Sequence, residues 1–165
     1  MKNIVIVGFM GSGKSVIGEL VANDLHMPFV DMDLLIEKQE KKTISEIFRI
    51  HGEAYFRGLE TQLLKDLSDS KSVISTGGGI VERSENKEIL TTFDQVCFLK
   101  CSFATIKTRL RYDDSRPLWK RSGKEQLALF QKRELLYEEV ASFVVETDNL
   151  SAEEVTEKVI NYYQL

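Results

Sequence analysis

Two cysteines and two histidines are all that 165 residues offer to a soft-metal or disulfide chemistry. Cys97 and Cys101 lie on or just after an expected strand with no second Cys/His pair nearby, so they read as structural thiols rather than a metal pair. His26 and His51 fall near expected helix ends without a metal-spaced partner and read as structural too. No apolar run approaches membrane-spanning length. Met1-Lys2-Asn3 leads straight into the first apolar run, leaving no room for a signal peptide, so the expected location is the cytoplasm. Excess positive charge is also lacking. The formal charge is −4, against a general nucleic-acid surface, and any anion site must concentrate its cations locally. There is no internal repeat, no low-complexity segment and no Asn-Lys-x-Asp guanine-reading motif. With 42% hydrophobic and 29% charged residues, the chain has ordinary globular usage and the length of one domain, 1–165.

What is present begins at Gly8-Phe9-Met10-Gly11-Ser12-Gly13-Lys14-Ser15. It follows the apolar run Ile4-Val5-Ile6-Val7, precedes a helical pattern starting near Lys14, and fits G-x-x-x-x-G-K-[ST] in the required strand–loop–helix context. The glycines let backbone N–H groups turn inward around phosphate oxygens at the positive end of the new helix. Lys14 is expected to reach the β- and γ-phosphates and Ser15 to ligate Mg²⁺. The chain is therefore expected to bind a nucleoside triphosphate.

Val16, Ile17, Leu20, Val21 and Leu25 recur at helical spacing. Residues 28–33, Pro-Phe-Val-Asp-Met-Asp, read as a second strand with Asp31 and Asp33 on one side of its carboxyl end, where an open parallel sheet binds its ligands. Two acids there suit Mg²⁺ and a hydroxyl; a helix cap is the plainer alternative. Thr43-Ile44-Ser45-Glu46 is a capping box opening a short helix that Gly52 ends, and another helix runs from about Glu53. In it Arg57 and Glu60 are i, i+3 neighbours, which taken alone read first as a weak surface ion pair. Strand 72–76 runs into Gly77-Gly78-Gly79, either a close approach of backbone to something or a plain flexible turn. Then follow a helix at 84–91, a strand at 95–100 and a helix at 103–111. The polar, basic stretch 112–123 reads as a mobile lid, with Arg116 its natural phosphate-reaching residue and Lys120 and Arg121 behind it. A helix over 124–140, a strand over 143–147 and a helix over 151–163 complete the chain. Five strands alternating with helices imply a mostly parallel sheet covered on both faces, an α/β three-layer sandwich.

Taken together, Gly8 to Ser15, Asp31-x-Asp33, Phe56-Arg57-x-x-Glu60, Thr76-Gly77-Gly78-Gly79, Arg116-Pro117-Leu118 and Lys132-Arg133-x-x-x-Tyr137 resemble the shikimate kinase family. The match runs in order along nearly the whole chain. The resemblance implies a P-loop, nucleoside-monophosphate-kinase-like fold with a central five-stranded parallel sheet, substrate-binding helices over about 32–60 and a mobile lid over about 112–123. It implies transfer of the ATP γ-phosphoryl to the 3-hydroxyl of shikimate, in aromatic amino-acid biosynthesis by way of chorismate. By the same resemblance Lys14, Asp33 and Arg116 look catalytic, and Asp33 holds the acceptor hydroxyl. Gly11, Ser12, Gly13, Lys14, Ser15, Val16, Arg109 and Arg116 meet ATP, with Arg109 against adenine. Arg57 and Arg133 clamp the acceptor carboxylate, and Gly77, Gly78 and Gly79 give backbone contacts to the ring hydroxyls. Ser15 and Asp31 attend Mg²⁺. The expected partners are shikimate and ATP, with no nucleic acid and no membrane, and the expected state is a monomer. Trp119 stands where the family more often has leucine, which implies altered lid packing; Asp148-Asn149-Leu150-Ser151 aligns loosely with the family's adenine loop. A gluconate kinase of the same fold and a catalytically idle nucleotide-binding module are the competing readings. An idle module has no use for Asp33, Arg57 and Arg133.

Overall fold

The structure, a computed structural model, describes residues 2–164 other than 114, 115, 117, 118, 120 and 121. The chain alternates strands and helices: β1 (Ile4–Val7), α1 (Lys14–Leu25), β2 (Phe29–Asp31), α2 (Met32–Glu40), α3 (Ile44–His51), α4 (Glu53–Asp66) and β3 (Val73–Ser75). Then come α5 (Ser84–Leu90), β4 (Gln95–Lys100), α6 (Phe103–Arg109), α7 (Gly123–Val140), β5 (Phe143–Glu146) and α8 (Ala152–Tyr163). The strands form one sheet in the order β2-β3-β1-β4-β5. Every pairing is parallel, with Ile4 facing both Val73 and Gln95 across β1.

The run Ile4-Val5-Ile6-Val7 is wholly buried because the sheet is covered on both faces. Alternation sends Ile4 and Ile6 to one side, where Ile17 and Val21 of α1 and Val155 and Val159 of α8 meet them. Val5 and Val7 go to the other, against Leu64, Leu90, Phe130 and Tyr137 from α4, α5 and α7. Each such aliphatic contributes about 1.5–3 kcal/mol relative to exposure. The three-layer α/β expectation is met. Among the described residues no helix is long and apolar enough to cross a membrane.

Local signals set most boundaries. Thr43 and Glu46 form their capping box, and Gly52 closes α3 and starts α4. Residues 28–33 depart from expectation. β2 stops at Asp31, whose Oδ1 accepts the Leu34 N–H at 3.1 Å, and the chain turns helical at Met32. Met32 and Ile36, one helical turn apart, are buried, which favours α2 over a longer strand. Asp33 is thus a first-turn helical residue, and the strand-face argument linking it to Asp31 fails; Asp31 is indeed a helix cap. α6 also ends two residues short of its expected bound, at Arg109. His26 caps the end of α1 and His51 closes α3 stacked on Tyr55, as structural residues would. Cys97 and Cys101 are free and buried, and burial raises both thiols.

Candidate active site

A cleft of about 970 Å³ opens at the carboxyl ends of the strands, and every residue singled out for the site lies on its wall. Lys120, Arg121, Pro117 and Leu118 of the expected lid fall outside the described residues. The cleft has two ends, the Gly8–Ser15 loop where phosphate is expected and Gly77 to Gly79 where the acceptor is expected.

At the phosphate end, Gly11 (φ 78°) and Gly13 (φ 95°) take left-handed conformations that L-residues resist, so the loop can coil back over the start of α1. Gly13 caps that helix without a side chain, and no acid occupies its first turn. Its free N–H groups and dipole are left to an external anion. Lys14 is buried and lies across the loop, its Nζ donating to Gly8 O (2.8 Å) and Phe9 O (3.0 Å). Burial, reinforced by Arg116, lowers its pKa to about 7 against the opposing pull of Asp33. Ser15 Oγ donates to Asp31 Oδ2 at 2.5 Å. A hydroxyl and a carboxylate side by side beneath the loop are hard oxygen donors that suit Mg²⁺ sharing its remaining positions with phosphate and water. Among the described residues no cluster of three His, Cys, Asp or Glu side chains forms a self-sufficient metal cage. Arg109 donates to Gly11 O at 2.9 Å, and Val16 is exposed at the mouth. Arg116 faces the cleft while its Nε reaches Asp113 at 3.4 Å. Thr147, Leu150, Ala152 and Val155 complete this wall, so the segment after β5 does border the cleft.

At the acceptor end, Gly77, Gly78 and Gly79 are neither a loose turn nor bare backbone. Gly77 and Gly79 leave space that neighbouring side chains fill, and Gly78 lies closest to the Met10 backbone. A Cβ on Gly77 would stand 2.7 Å from both Asp33 Oδ1 and Glu60 Oε2; on Gly78 it would approach Arg133 Nη1 (3.5 Å) and Tyr137 Oη (3.6 Å). On Gly79 it would overlap the guanidinium of Arg57. The segment is pinned where Thr76 Oγ1 donates to Ile6 O and Tyr137 Oη donates to Gly78 O.

Arg57 and Glu60 are no surface pair. Their side chains are 8% and 1% exposed, and Arg57 Nη1 donates to Glu60 Oε1 at 2.6 Å. The i, i+3 spacing fixes contact but not depth; α4 turns this face toward the glycines, and burial follows. Burial opposes the charge on Arg57, yet Glu60 and Glu53 outweigh it and hold the guanidinium above its ordinary value. Glu60 is pushed up to about 7 by burial, which Arg57 only partly offsets. Asp33 is raised too, chiefly by burial, with Lys14 opposing. Asp33 Oδ1, Glu60 Oε2 and Arg57 Nε are buried without a hydrogen-bond partner among the described residues. Unpaired buried groups of this kind each cost about 1–3 kcal/mol, and a ligand with hydroxyls and a carboxylate can satisfy them.

Arg133, 1% exposed on α7, donates from Nε to Glu82 Oε1 at 2.8 Å and lies over the Phe9 ring. Sequence reasoning missed Glu82 and the partner role of Glu53. Glu53 was readable as the i, i+4 neighbour of Arg57; Glu82, 51 positions before Arg133, carries no local signature. Trp119 is buried edge-on to Phe9 (5.6 Å), which also meets Phe130 (5.2 Å), so an aromatic cluster takes the place of leucine packing.

The cleft thus joins the Gly8–Ser15 loop to a pocket lined by two carboxyl groups, Asp33 and Glu60, and two guanidinium groups, Arg57 and Arg133. Residues 10–164 match the family model for shikimate kinase. The chain is 42% identical over 163 residues to the shikimate kinase of Enterococcus faecalis, covering 97% of each chain, and 44% identical over 167 residues to that of Thermodesulfovibrio yellowstonii, covering 99% of this chain and 96% of the other. Among solved structures it resembles the shikimate kinase of Acinetobacter baumannii in complex with shikimate, with TM-score 0.95, 33% identity, and 99% and 93% of the two chains covered.

Proposed function

The chain belongs to the shikimate kinase family, and from that membership we propose that it transfers the γ-phosphoryl of ATP to the 3-hydroxyl of shikimate, giving shikimate 3-phosphate and ADP. The observation that carries this reading is the pair of buried arginines, Arg57 and Arg133, sharing one cleft with Lys14 and Asp33. A planar cationic fork recognises a carboxylate, and a carboxylate acceptor recognises a hydroxyl.

In the reaction the acceptor oxygen forms a bond to Pγ as the Pγ–O bond to the β-phosphate breaks, ADP leaves, and the hydroxyl proton is given up. Arg57 and Arg133 hold the acceptor carboxylate, and Asp33 accepts a hydrogen bond from the reacting hydroxyl and receives its proton. Lys14 exchanges its two backbone carbonyls for β- and γ-phosphate oxygens, which restore its full charge. Arg116 neutralises charge developing on the transferring group, and closure of 112–123 as a lid excludes water that would otherwise take the phosphoryl. Gly11, Ser12 and Gly13 present backbone N–H groups to the phosphates, and Val16 and Arg109 border the nucleotide. Ser15 and Asp31 would hold Mg²⁺, which would supply positive charge to offset that of the phosphates. With such chemistry, positioning and electrostatics supply most of the rate. A cytoplasmic monomer acting in aromatic amino-acid biosynthesis completes the reading.

The test is ADP release from Mg·ATP with shikimate, gluconate or AMP, each against an acceptor-free control. Strong stimulation by shikimate alone is expected. Stimulation by another acceptor would overturn the clamp assignment, and none by any acceptor would leave an idle nucleotide-binding module.

A further inference from the structure

Arg133 can do its work only if one edge of its guanidinium faces the cleft. On a side chain this long nothing intrinsic fixes which edge that is: Nη1 with Nη2, or Nη2 with Nε. Its outward atom is Nε, held by Glu82 Oε1 at 2.8 Å, while Nη1 stands over Gly78 on the cleft side. Glu82 is itself firmly seated. Its N–H donates to Gly79 O at 3.0 Å, and it follows Ile80 and Val81, both fully buried. Asn86 Nδ2 ties the Ile80 carbonyl at 2.9 Å. The second carboxylate oxygen takes Lys132 Nζ at 3.0 Å, so neither oxygen is left to compete for the acceptor. Burial works against the Glu82 charge, but the hydrogen bonds from Arg133 and Lys132 outweigh it and hold the carboxyl below its usual value.

We infer that Glu82 is a positioning residue for the acceptor site. By occupying Nε of Arg133 it turns the terminal end of that guanidinium, which also bonds the Tyr137 hydroxyl, toward the acceptor carboxylate. The inference rests on Arg133 being an acceptor clamp, and adds a carboxylate that never touches the substrate. Arg57 has the complementary arrangement: its terminal nitrogens are taken by Glu60 and Glu53, and its Nε has no partner among the described residues. The two guanidinium groups therefore offer different edges, one terminal and one lateral, to a single bound acid.

Two variants separate reach from charge. Glu82→Gln keeps an oxygen able to accept from Nε but loses the charge; Glu82→Asp keeps the charge but falls one methylene short. Steady-state kinetics on the full chain are measured for both, with Arg133→Ala and Lys132→Ala beside them. Positioning predicts that Glu82→Asp raises KM for shikimate about tenfold, the scale of one charge-assisted hydrogen bond, while kcat and KM for ATP stay within about twofold. Glu82→Gln should stay within about threefold of wild type, and Lys132→Ala should be indistinguishable from it. If Glu82→Asp keeps the wild-type KM while Arg133→Ala raises it, the role of Glu82 is refuted and the clamp stands. Glu82→Gln proving worse than Glu82→Asp would make the effect one of charge and overturn positioning. Equal rises in KM for both substrates would make Glu82 a general prop of the fold. If Arg133→Ala itself leaves KM for shikimate unchanged, the clamp reading fails, and this inference with it.

Discussion

Gly79→Ala adds one carbon and tests how the acceptor site is built. The new Cβ would overlap Cζ, Nη1 and Nη2 of Arg57, closer than real Cβ atoms approach other atoms, so the guanidinium must retreat by about an ångström. It has little room, because Nη1 is bonded to the nearly inaccessible Glu60 at 2.6 Å. Breaking a buried pair while leaving one partner behind costs about 3–5 kcal/mol. At about 2–4 °C per kcal/mol for a chain of this size, Tm should fall by roughly 6–20 °C. Binding suffers separately. Displacing one arm of a buried carboxylate clamp is worth about 2–5 kcal/mol, so KM for shikimate should rise by at least about thirtyfold, with KM for ATP little changed. Thermal unfolding and paired KM measurements check both numbers. Had Gly79 served only to offer its backbone N–H to a ring hydroxyl, alanine would preserve that group. A Gly79→Ala enzyme with wild-type Tm and wild-type KM for shikimate would therefore refute the reasoning that the glycine is a seat for Arg57.

Gly58, next to Arg57 inside α4, is the natural contrast: a Cβ there meets nothing within 4 Å, so Gly58→Ala should stabilise the protein by about 1 kcal/mol through helix propensity, read as a raised Tm with unchanged kinetics. Lys14→Ala should lower kcat by about two to three orders of magnitude, the scale of one lost preorganised charge, in single-turnover or steady-state assays. Arg57→Ala should weaken shikimate binding by about 2–5 kcal/mol while sparing ATP, measured by titration of each ligand. Glu60 predicts a pH dependence of stability. Its folded-state pKa, near 7, lies above the ordinary 4.5, so between those values the folded state binds more protons than the unfolded, and stability falls as pH rises through that window. Between pH 4.5 and 7 the denaturant midpoint of wild type should fall while that of Glu60→Gln stays nearly flat; parallel falls in both would assign the slope to another group and remove Glu60 as its source.

The phosphate end was legible because its information is local. A strand, eight residues and a helix specify the cradle wherever they occur, and Gln95–Lys100 and the Thr43 capping box likewise carry their signals within a few residues. The acceptor end was less so. Val30-Asp31-Met32-Asp33 alternates like a strand, and only the burial of Met32 and Ile36 together, which depends on what α2 packs against, makes it a helix start. Arg57 and Glu60 could be read as neighbours from spacing, but their depth depends on α4 facing the end of β3. Gly77 to Gly79 could be read as a close approach; that the approaching groups are Asp33, Glu60, Arg133 and Arg57 needed the tertiary fold. Pairing across 51 positions, as between Glu82 and Arg133, leaves nothing in the local sequence to find.

The aromatic cluster around Phe9 has an optical meaning. Trp119 is the only tryptophan in the chain, and its ring abuts a residue of the phosphate-binding loop itself. Emission excited selectively from indole therefore comes from one place, beside Phe9 of the Gly8–Ser15 loop. The enzyme carries its own fluorophore against the Gly8–Ser15 loop, so if nucleotide binding rearranges that loop the change should be readable in stopped flow without attaching a dye.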